Sequence, residues 1–132
     1  MTAKAARLIV LAGLLAGSRP FDAHHAFSAE FDADKPVKLT GSVTKLDWTN
    51  PHAWIYLDVK DASGKVANWG FELASPNGLM RNGWTRFSLK PGDIVTVEGS
   101  RAKNGSTKAN AQVVVSSSGR RLFAGAGDAP QP

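Results

Sequence analysis

Apolar and polar residues alternate in short runs along most of the chain, and turn residues separate these runs. The clearest run is residues 52–60, in which every second residue is apolar: Ala53, Ile55, Leu57 and Val59. A period of two is typical of a β-strand with one buried face. The opposite face of this strand would carry His52, Trp54, Tyr56 and Asp58. The pattern therefore predicts short strands that each turn one face toward a core.

Five strands and one short helix follow from these runs. The predicted strands lie within residues 37–48, 52–60, 66–74, 89–101 and 104–116. Residues 61–65, DASGK, predict a hairpin turn in which Gly64 can take a positive φ. Residues 75–84 break the alternation, and a capping serine followed by a proline predicts a short helix there. Residues 117–123 leave room for one further short strand.

This order of elements predicts an all-β fold, namely a small five-stranded OB-like Greek-key barrel with the short helix between strands 3 and 4. The first strand of such a barrel must curve through both halves of the sheet. Gly41 in its middle, and a slip in the alternation between Val43 and Leu46, would allow a bend or a bulge. The alternative is a small open β-sandwich or meander.

The first 23 residues differ from the rest of the chain. Lys4 and Arg7 precede a run of ten apolar or small residues at positions 8–17. This layout predicts a secretory signal peptide over residues 1–23, because a membrane anchor, the alternative, needs roughly 20 apolar residues. The rest of the predicted organisation is an N-terminal extended segment, the barrel and a disordered tail, over residues 24–36, 37–123 and 124–132.

Cysteine is absent from the chain, so disulfides and cysteine-ligated metals are excluded. Cleavage after Ala23, to which cleavage after Ser18 is the alternative, removes three basic residues and one acidic residue and lowers the formal net charge from +5 to +3. A mildly basic exported protein with scattered basic residues is not expected to bind nucleic acid. No membrane span is expected after cleavage.

The predicted hairpin places several side chains on one outward face. A turn centred near Ser63 sets Trp54 opposite Glu72. The predicted ligand face consists of Trp54, Tyr56, Asn68 and Glu72. Strands 2 and 3 of an OB-fold usually present the ligand surface, and aromatic rings beside hydrogen-bonding groups suit stacking on a sugar or a base. The alternative is a packed structural face, with Phe27 or Phe31 covering Trp54.

The chain has three histidines, and their positions suggest a metal site. If processing left His24 first, its free amine and imidazole would form a chelating pair. His25 or His52 would then complete a nitrogen-rich site of the kind that Cu(II) favours. Glu72 would orient a ligand histidine from outside the coordination sphere. The alternative is an N-terminal stub whose histidines bind nothing. Copper is the cofactor of this hypothesis, and the sequence indicates no other.

Motifs of the common catalytic sites are absent from the sequence. It lacks G-x-S-x-G, H-E-x-x-H, a phosphate-binding glycine loop and a cysteine nucleophile. The acidic residues lie mostly beside predicted turns, where carboxylates cap the backbone and keep the surface soluble. We therefore expect a protein that is not an enzyme.

Five motifs together resemble an uncharacterised family of short exported bacterial proteins. HHAF follows the signal region, and W-x-NPH, SPN…GW, KPGD-x-V-x-V-x-G and GR-x-LF follow in that order. The resemblance covers residues 24–125, and the chain departs from the family pattern at RPFDA, residues 19–23. The family is known as a domain of unknown function. The resemblance implies a periplasmic location in Gram-negative bacteria and supplies no catalytic residues.

The sequence thus predicts an exported, periplasmic and non-enzymatic binding or accessory protein. The first hypothesis is that it binds a metal ion such as copper through His24, His25 and His52. The alternative is that the aromatic face of strands 2 and 3 binds a glycan or a peptide. Its partner would be an unknown periplasmic protein or a small ligand.

Overall fold

The computed structural model describes residues 27–125. The strands are β1 (Phe31–Asp47), β2 (Trp54–Lys60), β3 (Val66–Glu72), β4 (Ile94–Ala102), β5 (Lys108–Ser116) and β6 (Arg121–Phe123). A short helix, α1 (Pro76–Arg81), lies between β3 and β4, where the sequence predicted it. Residues 27–30 are helical and lead directly into β1. The fold is therefore mostly β, and β6 adds a strand to the five of the predicted barrel.

The strands form one sheet in the order β3-β2-β1-β4-β5-β6, in which neighbours are antiparallel. A further pairing joins residues 70–72 of β3 to residues 108–110 of β5 in parallel. Just beyond it, the Ala124 N–H donates to the Gln112 carbonyl at 2.8 Å, and the Ala124 carbonyl accepts from the Ala74 N–H at 2.9 Å. Because β3 and β5 are far apart in the strand order, the sheet must curve strongly to bring them together.

Strand β1 spans 17 residues and pairs with both β2 and β4. Gly41 lies so close to the Asp58 backbone carbonyl of β2 that a Cβ at this position would collide with it. A register shift between Val43 and Lys45 marks a bulge in the pairing with β2. The bulge that Gly41 and the slip in the alternation predicted in this strand is present.

The start of β1 differs from the sequence prediction. The strand begins at Phe31 rather than at residue 37, and Phe31 pairs with Ala102 at the end of β4. Phe31 is 2% exposed, so this aromatic ring anchors the beginning of the strand in the interior. The sequence predicts only an extended segment over residues 31–36, because their polar composition gives no alternation around the one buried position, Phe31.

The core is built from the inward faces of the central strands. Its fully buried side chains include Ile55, Leu57, Phe71, Val97 and Val114. The predicted hairpin register, with Trp54 opposite Glu72, is confirmed. Alternate residues of β2 point inward, as its burial pattern shows. Each large apolar side chain buried in this way stabilises the fold by about 1.5–3 kcal/mol.

Helix α1 and the residues after it cover part of this core. The Ser75 hydroxyl caps the helix by accepting a hydrogen bond from the Gly78 N–H at 3.2 Å. Trp84 is 1% exposed, and its indole N–H donates to the Phe123 carbonyl at 2.9 Å. The segment between β3 and β4 is thus tied to β6 by a buried hydrogen bond.

The predicted disordered tail begins at residue 124, but the structure places this residue in the fold. Ala124 is completely buried and hydrogen-bonded through both its backbone groups, so its small side chain serves the close approach of two strand ends. Residues 126–132, the predicted signal peptide over residues 1–23, and His24 and His25 lie outside the described residues.

Among the described residues, no helix is long and apolar enough to cross a bilayer.

Gly41→Ala should destabilise the protein by about 3 kcal/mol, because the added methyl group meets rigid backbone of β2 rather than a flexible side chain. The matched control is Gly64→Ala, at a φ of 85° with open space around the new Cβ, which should cost only about 1 kcal/mol. Urea denaturation measures both values. Equal losses in the two variants would contradict the close packing of β1 against β2.

Candidate functional site

The outward side of β2, β3 and β5 carries the candidate site. Trp54 and Tyr56 occupy alternate positions of β2, so both rings leave the sheet on the side away from the core. Across the hairpin, Trp54 pairs with Glu72 and Tyr56 pairs with Gly70. Lys108 of β5 pairs with Gly70 from the other side. We call these five residues the aromatic face.

Gly70 gives the two rings their position. A Cβ placed on Gly70 would lie 3.2 Å from Cε1 of Tyr56 and 3.7 Å from Cε3 of Trp54. Both rings therefore reach over the bare backbone of β3, with centroids 6.4 Å apart and planes tilted by only 20°. The absence of a side chain at residue 70 allows the two rings to form one continuous apolar surface.

Lys108 adds a cation to the edge of this surface. Its ammonium nitrogen lies 5.9 Å from the centroid of the Trp54 ring, close enough for a cation–π contact. Lys108 is an exposed residue. Its long side chain can therefore leave the ring and bond to a ligand at little cost.

Glu72 stands beside Trp54 as a partly buried carboxyl group, with a side chain 17% exposed. Burial is the main cause of its raised pKa, and the nearby charge of Glu30 raises it further. His52 and a hydrogen bond from Asn110 act in the opposite direction without cancelling the effect of burial. A carboxyl group in this setting can accept hydrogen bonds when ionised and can donate one when protonated.

Asn110 links Glu72 to the next polar residue of β5. It is 8% exposed, and its Oδ1 accepts a hydrogen bond from Gln112 Nε2 at 3.0 Å. Because a buried amide is costly unless it is satisfied, the contact with Gln112 favours one orientation of the Asn110 side chain. Asn110 pairs with Glu72 in the register of β3 and β5, so it lies beside that carboxyl group.

His52 lies two residues before β2, next to Glu72. Its Nδ1 is 2.9 Å from the Leu73 carbonyl oxygen and 3.8 Å from Glu72 Oε1. A carbonyl oxygen can only accept, so Nδ1 must carry a hydrogen. In the neutral ring this leaves the lone pair on Nε2 free. The His52 side chain is 40% exposed. Its Nε2 can therefore bind a metal ion or accept a hydrogen bond from a ligand.

The structure brings together part of the predicted ligand face. Trp54, Tyr56 and Glu72 are neighbours, but Asn68 lies toward the hairpin end, where its amide donates to Asp58 at 2.9 Å and to Thr44 at 3.2 Å. The suggested cover over Trp54 is not found in the described ring contacts, since Phe27 packs on Phe31 with centroids 5.7 Å apart. The aromatic face thus keeps three of the four predicted residues and lacks Asn68.

Of the three histidines in the predicted metal cluster, only one lies within the described residues. His52 is described, whereas its expected partners His24 and His25 lie outside the described residues. Within residues 27–125, no group of three or more His, Cys, Asp or Glu side chains is arranged to hold a metal ion. Glu72 does lie beside His52, at the distance given above for its Oε1.

Sequence reasoning missed four residues of the site: Glu30, Gly70, Lys108 and Asn110. The alternation in KANAQ, residues 108–112, is a sequence signal that puts Lys108 and Asn110 on the outward side of strand 5. It does not say which strand lies beside them. No sequence signal places Glu30 near Glu72, because that contact depends on where β1 begins.

The family of unknown function DUF6152 matches residues 11–111, which is most of the chain. The chain therefore belongs to this family, and the resemblance to a family of unknown function is confirmed. No curated protein and no solved structure matches the chain.

Glu72→Gln should stabilise the protein at pH 7–8. The raised pKa means that the folded state holds the proton of Glu72 more tightly than the unfolded state, so its ionisation costs folding free energy. The gain in the free energy of unfolding should shrink as the pH falls toward about 4, where the wild-type carboxyl group is protonated and, like glutamine, uncharged. Urea denaturation at pH 8, 6 and 4 measures this dependence.

Asp61→Asn is the control of opposite sign. Hydrogen bonds from Ser63 above all lower the pKa of Asp61, so its carboxylate stabilises the fold at neutral pH. The variant should be less stable than the wild type at pH 8, and the difference should fade as the pH falls. A Glu72→Gln variant that behaves like Asp61→Asn would contradict the burial of Glu72.

Proposed function

We propose that this protein is a non-enzymatic binding module that holds a carbohydrate on its aromatic face. The observation that carries the proposal is the pair of rings over Gly70, which offers a continuous apolar surface at the outside of the sheet. The C–H face of a sugar ring packs on such a surface. Side chains of both charges at its rim, Glu72 and Lys108, can bond to sugar hydroxyl groups.

The mixed charge of this face favours a neutral polar ligand over a polyanion. Glu72 and Lys108 flank the rings from neighbouring strands, and neither sign dominates. A nucleic-acid surface instead needs several cations along a groove. A sugar uses both hydrogen-bond donors and acceptors, and the partly buried Glu72 carboxyl group gives it one point of orientation.

The strand pairings support an OB-like Greek-key barrel as the description of the fold. In the OB-fold, β1 pairs with both β2 and β4, and β3 meets β5. The present chain has these pairings, with β3 and β5 parallel. Oligosaccharides are among the usual ligands of the strand 2 and 3 face in this fold, which agrees with the position of the aromatic face.

The proposed location is the periplasm. The support is the N-terminal layout of Lys4, Arg7 and the apolar run at 8–17, which is typical of a secretory signal peptide. Cell-surface and periplasmic glycans would then be within reach. Mass spectrometry of the protein recovered from the periplasm would define its N-terminus.

Trp54→Ala and Tyr56→Ala should each weaken glycan binding about tenfold, because each removes one ring of the stacking surface. Wild-type protein is first screened on an oligosaccharide array, and isothermal titration with the best ligand then measures Kd. Phe87→Ala is the matched control, since Phe87 is 83% exposed and lies on a different part of the chain.

Three results would contradict the glycan proposal. One is a folded wild type that binds no oligosaccharide. Another is binding that Trp54→Ala leaves unchanged. The third is selective binding of extended peptides with no binding of sugars, which would assign the same face to a peptide.

A second candidate function is the binding of copper at His52. The observation that favours it is the hydrogen bond from Nδ1 to the Leu73 carbonyl, which leaves Nε2 free in the form that metal-ligating histidines commonly take. Glu72 stands beside the same ring. Glu30, which follows His25 by five residues in the sequence, is close enough for its charge to act on Glu72.

Protein recovered from the periplasm should contain near-stoichiometric copper if this second function is correct, and His52→Ala should lose it. Elemental analysis measures the metal, with Trp54→Ala as the control that removes the neighbouring ring but no metal ligand. Background copper in a protein that mass spectrometry shows to begin at His24 would rule this function out. Copper retained by His52→Ala would exclude His52 as a ligand.

A further inference from the structure

Phe87 is an exposed aromatic residue in the segment between α1 and β4. Four large apolar residues of the described chain are exposed, and Phe87 is the most exposed of them at 83%, followed by Met80 at 52%, Ile94 at 49% and Val66 at 48%. A phenylalanine left almost entirely in water contributes little burial to the core. Its ring is therefore available for contact with another surface.

The turn that carries Phe87 is fixed by its own hydrogen bonds. The Thr85 N–H donates to Ser88 Oγ at 2.8 Å, and the Phe87 N–H donates to Thr85 Oγ1 at 3.2 Å. The backbone N–H of Ser88 also donates to the Thr85 carbonyl at 3.0 Å. Trp84 and Leu89, on either side of the turn, are buried at 1% and 5% exposure. The ring is thus held outward by a turn anchored at both ends.

The segment of chain that carries this turn has charges of one sign. Between Glu72 and Asp93 the chain has no acidic residue, whereas it has three basic ones, Arg81, Arg86 and Lys90. Lys90 lies 3.5 Å from Asp93. Arg81 and Arg86 form no ion pair with a carboxylate in the described part of the chain. Two exposed guanidinium groups therefore accompany the exposed ring.

We propose that the Phe87 turn, residues 85–88, docks the protein on an anionic phospholipid bilayer. Phe87 would enter the interfacial region of the bilayer, and Arg81 and Arg86 would contact lipid phosphates. The acyl region is fluid, so a single projecting ring needs no complementary pocket. A specific protein interface buries about 800 Å² on each partner, several times what one phenylalanine can supply. This contact does not depend on the aromatic face or on any ligand there.

Because the chain has no cysteine, one introduced cysteine can be labelled at a chosen position to test this contact. Phe87→Cys in the full-length protein is labelled with an environment-sensitive fluorophore and mixed with vesicles of phosphatidylglycerol and phosphatidylcholine. Val66→Cys, at a residue of 48% exposure on β3, is the matched control. The fluorescence reports only the surroundings of the labelled residue. A vesicle contact made by the apolar residues near the N-terminus is therefore distinguished from one made by residue 87.

The label at residue 87 should show a blue shift with anionic vesicles, and the label at residue 66 should not. Arg86→Gln in the labelled Phe87→Cys protein should weaken vesicle binding about fivefold, and 0.5 M salt should weaken it further. Equal shifts at residues 66 and 87, or an equal shift with pure phosphatidylcholine, would overturn the proposal. A shift at residue 87 that grows with protein concentration and needs no lipid would overturn it in favour of self-association.

Discussion

The parallel pairing of β3 with β5 is the contact on which the candidate site depends. It joins strands that are far apart in the sequence over only three residue pairs, at Gly70, Phe71 and Glu72 on the β3 side. Without it, Lys108 and Asn110 would not stand beside the aromatic rings and the Glu72 carboxyl group. Parallel pairing requires a connection across the fold, and here α1, β4 and the turns around them provide it. The buried Ala124 supports the same junction from β6.

The site also departs from the residue choices that stability alone would favour. Gly70 in the middle of a strand lacks a side chain to pack, and glycine there weakens a strand in most settings. Trp54 and Tyr56 cover the bare backbone, which offsets part of that cost and creates the apolar surface. Glu72 is a carboxyl group whose burial raises its pKa, so the fold keeps it at an energetic cost. A glycine under two rings and a disfavoured carboxyl group in the same place are typical of a binding site rather than of a surface selected only for stability.

Much of the fold was predictable because it depends on local patterns. The alternation in β2, the bend at Gly41 and the hairpin register were all visible in the sequence and are confirmed. The start of β1 was not predictable, because it rests on a single buried ring at Phe31, 71 residues away in sequence from its partner Ala102. The site was predictable where it lies within one hairpin. Its contributions from β5 and from Glu30 depend on contacts between distant segments, for which a single sequence gives no register.

Nuclear magnetic resonance of the tryptophan side chains tests the central claim, that the aromatic face binds a carbohydrate, most directly. The chain has four tryptophans, and their indole N–H signals can be followed separately while an oligosaccharide is added. Trp54 is on the aromatic face, Trp84 is in the core, and Trp48 and Trp69 pack against the core. Carbohydrate binding at the aromatic face should shift the Trp54 signal saturably and leave the Trp84 signal unchanged. A shift of Trp69 or Trp48 without Trp54 would place the ligand elsewhere and contradict it, as would four unchanged signals.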